Sequence, residues 1–268
     1  MIDVAIRGIG FILPGLDDWP AARRALAGSA AYAGGPLNAP APDALPSAER
    51  RRANLAVRLA IAAAQQAVAH AGLDPAGLAS VFVSTDSVGE VLDDICQTLA
   101  SPHPEISPTR FHNSVHNVAS GYWTIAVHSR APAGMVTGTD DVFGGALLEA
   151  SVQAKVEARS VLLVAYDVPM PPPLHALHPV AASGSVALVL APEPSARDIA
   201  GLRIELVHTA AADVSKMPDR ELEALRLANP VGRALPLLAS IARNETRTVV
   251  LGLNPENALR VSVDAAAR

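Results

Sequence analysis

An α/β fold built on a largely buried sheet is predicted by two patterns and one compositional bias. Short runs rich in Val, Leu and Ile alternate with longer segments whose apolar residues recur at helical spacing. The strand-like runs are apolar at nearly every position, as expected of strands covered on both faces. Half of the 268 residues are apolar while aromatics make up only 3%. Ala, Val and Leu must therefore fill the interior, and layers can pack closely.

Residues 2–12, Ile-Asp-Val-Ala-Ile-Arg-Gly-Ile-Gly-Phe-Ile, read as the first strand. Residues 13–47 are rich in Pro, Gly and Ala without a sustained period, and an irregular surface excursion is expected there. Ser47 is placed to N-cap a helix running to about Ala71, with Gly72 just past its end. Its stripe Val57, Ile61, Ala64, Val68 and Ala71 is widened by Leu55, Leu59 and Ala62, which predicts a helix sandwiched between layers. Residues 80–84 form a short buried strand and 88–100 a helix. Residues 135–138 give the next strand, followed at once by a helix from Asp141 to about Glu157. A strongly apolar strand at 160–165, a stiff proline loop at 169–173 and a strand at 185–190 complete this half. After Pro192-Glu193-Pro194 the rhythm restarts, with a strand at 202–208, helices near 220–227 and 231–243, and strands at 248–252 and 258–263. Residues 1–192 thus form one half and residues 193–268 a truncated second half packed on it as a single unit.

A net charge of −5 with no basic run argues against a nucleic-acid platform. The lone Cys96 precludes an internal disulfide and fits a reducing compartment; a buried structural thiol is its default role. The opening residues lack a basic stretch leading into an apolar core, so no signal peptide is expected. No apolar run reaches spanning length, since Arg58, Gln65, Gln66 and His70 interrupt the nearest. A cytoplasmic protein without membrane insertion is expected.

Residues 132–141 read Pro-Ala-Gly-Met-Val-Thr-Gly-Thr-Asp-Asp, a strand ending in a tight turn that feeds a helix N-terminus. The partial positive charge and free N–H groups of such a turn suit a reactive thiolate. Asp140 and Asp141 stand there instead, and a carboxylate is a good cap but a poor acyl-transfer nucleophile. Helix capping, worth about 0.5–2 kcal/mol, is the expected role. The rival is a general base or decarboxylase residue, weakened because nothing nearby in sequence would raise a carboxylate's pKa.

His112 and His116 stand four apart, with Asn113 and Asn117 beside them. A zinc site needs a third ligand, and the sequence offers none beyond His103 in a proline-rich loop, so no metal is assigned. These side chains are expected to satisfy buried backbone groups where a loop enters a helix. Ser114 lacks the G-x-S-x-G context of a hydrolase nucleophile. Phe111, Tyr122 and Trp123 gather three of the few aromatics in a short span, which suits a core or an interface centre equally. Arg50, Arg51 and Arg52 open a helix against its dipole and are read as a solvated turn, with a carrier-protein contact as the alternative.

The segment Ser107-Pro-Thr-Arg-Phe-His-Asn-Ser-Val-His-Asn-Val-Ala-Ser-Gly-Tyr-Trp-Thr-Ile-Ala resembles the signature of the β-ketoacyl-synthase-like N-terminal domain family. The match extends to the small, chain-length-factor-like proteins of aryl polyene pathways. Supporting matches are Ala62-Ala-Ala-Gln-Gln-Ala with Ala69-His-Ala-Gly-Leu, Leu162-Leu-Val-Ala-Tyr-Asp-Val-Pro, Ala182-Ser-Gly-Ser-Val-Ala-Leu-Val-Leu and Asn229-Pro-Val-Gly-Arg-Ala-Leu-Pro-Leu-Leu. The resemblance is strong over residues 1–192 and looser beyond.

It implies a thiolase-like layered αβαβα fold with a shortened second half. Aligning Pro132 with the proline before the family's elbow strand puts Asp140, within one residue, where active members carry the nucleophilic Cys. The paired His of the second half are also missing, since only His208 follows residue 192. The implied role is a non-catalytic subunit that heterodimerises with a catalytic ketosynthase, meets an acyl carrier protein transiently and helps set product length. Residues 132–139 would form the strand crossing the dimer, and 107–123 a wall near the partner's acyl tunnel. The expected interface and pocket residues are Phe111, His112, Asn113, His116, Asn117, Tyr122, Trp123, Met135, Thr137 and Thr139. No cofactor is expected. The competing function is a stand-alone acyl-thioester enzyme, a malonyl decarboxylase or hydrolase using Asp140, Ser114 or His116.

Overall fold

The apolar runs pair into a single sheet. In the computed structural model, which describes residues 1–86, 88–172, 174–208 and 214–265, the strands are β1 (Ile2–Ile12), β2 (Ala79–Val83), β3 (Ala133–Val136), β4 (Val161–Asp167), β5 (Gly184–Ala191), β6 (Ala200–His208), β7 (Arg247–Gly252) and β8 (Asn257–Ala265). The helices are α1 (Trp19–Leu26), α2 (Ser47–Arg50), α3 (Leu55–Ala71), α4 (Gly89–Leu99), α5 (Pro108–His112), α6 (Val118–Ala126), α7 (Val142–Val156), α8 (Leu174–Leu177), α9 (Arg220–Ala228) and α10 (Leu235–Arg243). Strand order is β3-β2-β4-β5-β1-β6-β8-β7. β2 runs parallel to β3 and β4, and the other neighbours are antiparallel.

α3 and α6 cover one face, packing on Phe82, Leu162, Val164 and Val189. The close approach of α3 depends on two glycines of β1, because a Cβ on Gly8 or Gly10 would fall about 2 Å from the carbonyl oxygen of Ala67 or Ala63. On the other face α7 touches β1, β2, β4 and β5 and also reaches β7 and β8, so it lies between the two halves of the sheet. One broad side of it is buried, from Phe143 through Leu147 to Ala154, while Glu149, Val152 and Val156 are exposed. α1 and α10 fill the same layer. The face of β6 and β8 turned away from that layer carries exposed Arg203, Arg260 and Asp264. There Arg203 pairs with Asp3 and Arg260 with Glu205 across neighbouring strands. This part of the sheet therefore meets solvent on one side. Among the described residues no helix is long and apolar enough to cross a membrane.

Local structure departs from the sequence reading in four places. The stretch 13–47 contains α1, capped by Asp18, whose carboxylate accepts from the Ala21 N–H at 2.7 Å, with Trp19, Ala22, Ala25 and Leu26 on the buried face. The helix expected from Ser47 breaks after α2. Asn54 takes the Val57 N–H at 2.9 Å and starts α3 afresh, the competition with helical backbone typical of Asn. Arg50 turns back to Asp43 and to the Leu45 carbonyl. β3 begins at Ala133, two residues before the expected start, because its register follows β2, with Ser80 opposite Ala133 and Val83 opposite Val136. Cys96 is exposed, not buried: of the described residues in α4 only Gly89 is buried, against Met170.

Candidate functional site

Residues 137–141 connect the end of β3 to the start of α7, the strand-turn-helix elbow that the sequence predicted. The expected capping does not occur. Asp141 occupies the N-cap position of α7 without a side-chain capping bond. The elbow carboxylates face an imidazole and a guanidinium from distant parts of the chain instead. His178 Nε2 lies 2.9 Å from Asp140 Oδ1. Arg233 reaches Asp140 Oδ2 at 3.4 Å through Nη2 and Asp141 Oδ1 at 3.7 Å through Nε. An ion pair with a fixed guanidinium outcompetes a local cap because it satisfies two carboxylates at once.

The guanidinium is held from behind. Its Nη1 donates to the Arg226 carbonyl at 2.6 Å, and Arg226 grips Glu223 through two bonds of 2.8 and 2.7 Å. The Arg226 contact holds Glu223 below the usual carboxylate range. Burial, joined by repulsion from Arg226, lowers the Arg233 pKa, while Asp140 and Asp141 oppose the shift. The Arg233 side chain is 14% exposed and that of Asp140 59%. His178 Nδ1 is buried and finds no hydrogen-bond partner among the described residues.

Beneath this cluster lies a buried polar knot at the end of β4. The Asp167 carboxylate accepts from Ser84 Oγ at 2.7 Å and from the Thr85 N–H and hydroxyl at 3.1 and 3.0 Å. Burial pushes its pKa up to about 6 against those hydrogen bonds. Asn229 bridges the same region, donating through Nδ2 to the carbonyls of Asp167 and Ala182 and accepting from the Val231 N–H. The segment beginning Asn229-Pro-Val-Gly-Arg thus supplies both the residue that ties down the strand end and the arginine that reaches the elbow.

The structure scatters the other predicted residues. Asn113 is buried and meets the expectation, donating to the Arg52 carbonyl at 3.1 Å and accepting from the Tyr122 hydroxyl at 3.2 Å. His112, His116 and Asn117 are exposed and do not fill that role. His112 ends α5 and His116 lies in the turn before α6, so the two imidazoles share no helix face. Ser114 donates to the Phe111 carbonyl. Tyr122 and Trp123 are core residues against α3, whereas Phe111 is 67% exposed. Met135 is half-buried in β3, and Thr137 and Thr139 are exposed in the elbow turn. No group of three or more His, Cys, Asp or Glu suited to a metal ion occurs among the described residues.

β3 is an edge strand, and a groove runs between it and α7, lined by Met135, Val136, Val152 and Val156. Seven of the twelve exposed large apolar side chains among the described residues fall between Leu92 and Val156. Ile125 of α6 and Val152 and Val156 of α7 are among them, on the two helices that contact the edge strand.

Residues 24–248 match the family described as beta-ketoacyl synthase, N-terminal domain. No curated protein matches the chain. Among solved structures, the ketosynthase (ApeO) in complex with its chain length factor (ApeC) from Xenorhabdus doucetiae aligns over 98% of this chain and 100% of its own, at 22% identity and a TM-score of 0.73. The ishigamide ketosynthase/chain length factor aligns over 100% of both chains at 14% identity and a TM-score of 0.71. The AntDE:AntF complex, a type II PKS acyl-carrier protein with its hexaketide-bound ketosynthase, aligns over 98% of this chain and 99% of its own at 13% identity and a TM-score of 0.76. These likenesses establish a thiolase-like ketosynthase fold, and the match over residues 24–248 places the chain in the β-ketoacyl synthase N-terminal domain family.

Proposed function

We propose that this chain is the non-catalytic, chain-length-factor subunit of a two-chain ketosynthase. It would pair with a catalytic β-ketoacyl-ACP synthase and meet the acyl carrier protein transiently during type II polyketide or fatty-acid-like elongation of an aryl polyene type, in the cytoplasm. The observation that carries the reading is the elbow: where a nucleophilic thiol would stand, Asp140 is tied to His178 and Arg233. The chain's only thiol, Cys96, sits on α4. A carboxylate held this way is a poor acyl-transfer nucleophile, and on this reading the chemistry falls to another polypeptide.

What supports a partner is the open edge of β3 with its apolar flanks, a liability in a lone chain that strand addition would relieve. In that arrangement Phe111, His112, His116 and Asn117, all exposed, would face the partner, with Met135, Thr137 and Thr139 at the shared strand. Coexpression with the catalytic ketosynthase followed by size-exclusion chromatography tests the reading, and a one-to-one complex is expected. A stable monomer that never co-elutes, beside a ketosynthase fully active alone, would overturn it.

A stand-alone acyl-thioester enzyme is the second reading, and the Asp140–His178 pair is what favours it. The imidazole beside Asp140 is His178, not His116. Its free nitrogen is buried, which turns it away from any thioester approaching from solvent. Incubating the purified chain with malonyl- and acyl-thioesters separates the two readings, since turnover lost in Asp140→Ala and His178→Ala would favour the enzyme.

A further inference from the structure

We propose that the cleft between α1 and the C-terminal part of α3 is a binding site for a small amphipathic organic anion, an acyl or aryl body bearing a carboxylate or phosphate. The inference is independent of the chain-length-factor reading, because β2, β4 and β5 lie between β1 and the β3 edge.

The cleft arises from the path of β1. Pairing with β6 extends only over residues 2–6 of β1, after which no strand fills that side. The N–H groups left there are taken by side chains from α3: Ile9 N–H donates to His70 Nδ1 at 3.3 Å, and Phe11 N–H to Gln66 Oε1 at 2.9 Å. Gln66 Nε2 in turn donates to the Asp17 carbonyl at 2.8 Å, fixing the amide. The result is a cavity of about 800 Å³, within the range of small-molecule pockets. Its walls are preorganised because the strand's own hydrogen bonds lock the polar residues that form them.

The lining sorts into two chemistries. Trp19, Pro20 and Ala27 contribute the apolar part of the lining, and Arg23 and Arg24 belong to the same cavity. Neither arginine forms an ion pair among those resolved, although both stand in the last turn of α1. The one carboxylate in the lining, Asp18, is committed to capping α1 through the Ala21 N–H. His70 Nδ1 lies 3.3 Å from the Ile9 nitrogen and 3.4 Å from the Ile9 carbonyl oxygen, which holds the ring against the strand. Two cations beside an indole recognise an anionic head with an apolar body.

Calorimetric titration of the 268-residue chain with octanoate, octyl phosphate and octylammonium tests this, with acetate and inorganic phosphate as tail-free controls. Trp19 fluorescence supplies a second readout, since it lines the cavity. Saturable binding of octanoate or octyl phosphate is expected, with a change in Trp19 emission and affinity reduced at least tenfold in the Arg23→Gln/Arg24→Gln double variant. Trp19→Phe should abolish the optical change while calorimetric binding persists. The tighter of the two anions identifies the head group. Absence of saturable binding by both anions, equal affinity in the double variant, equal binding of octylammonium, or binding of the tail-free ions as tightly as the tailed ones would each overturn the proposal.

Discussion

Gly144 of α7 and Gly252 at the end of β7 meet backbone to backbone: a Cβ on Gly144 would lie 2.3 Å from the Gly252 carbonyl oxygen. A Cβ on Gly252 would fall 2.6–2.8 Å from atoms of the Asp141 carboxylate group. The elbow helix is therefore seated directly on the second half of the sheet. Replacing a helical glycine by alanine ordinarily gains about 1 kcal/mol. Here the sign reverses, and Gly144→Ala is expected to cost about 1–3 kcal/mol through overpacking. Thermal melts check it, and an unchanged or raised Tm would mean that α7 shifts freely.

Asp167 makes stability depend on pH. Its folded pKa is about 6 because of burial, against about 3.9 in an unfolded chain. A carboxyl raised on folding favours the folded state fully below the unfolded value, and that advantage is lost as pH rises through the folded one. The gap of about two units corresponds to a change on the order of 3 kcal/mol. Relative to Asp167→Asn, which does not titrate, the native chain should lose stability between pH 4 and pH 7. Urea denaturation across that range reads the difference, and a flat difference would refute the assignment.

Asn229 is fully buried and uses both ends of its amide. Asn229→Ala leaves two carbonyls and one N–H without their partner, at about 1–3 kcal/mol for each buried group stranded. A fall in Tm of several degrees is expected, together with weaker protection of the Val231 amide in hydrogen exchange. Full protection there would contradict the bridging role.

Val156 is 79% exposed beside the β3 edge. Val156→Glu should change the stability of the isolated chain by no more than about 0.5 kcal/mol. Co-elution with the catalytic ketosynthase should nonetheless weaken at least tenfold. Retained affinity would place the partner elsewhere.

The central strands were legible because β2, β4 and β5 are apolar at nearly every position, and α3 because its stripe persists for several turns. The elbow was legible as a turn, and the missing thiol as an absence. What occupies the elbow was not. His178 lies 38 residues from Asp140 and Arg233 lies 93 away, and no local pattern in a single chain reports such a meeting. A faint signal exists in Asn229-Pro-Val-Gly-Arg, a segment that carries the family resemblance but by itself gives Arg233 no role. The exposure of Cys96 was hidden for the opposite reason: α4 carries the apolar stripe of a buried helix, yet among the described residues it is only partly covered.

The two ends of the sheet differ in finish. At β7 the Ser215 N–H donates to the Val250 carbonyl and the Val250 N–H to Ser215 Oγ, whereas β3 ends the other side with its groove uncovered. If β3 takes on a partner's strand, as proposed above, the margin left over is β7, where Ser215 already covers part of the edge. Such an assembly would stop at a pair more readily than run on into a fibre.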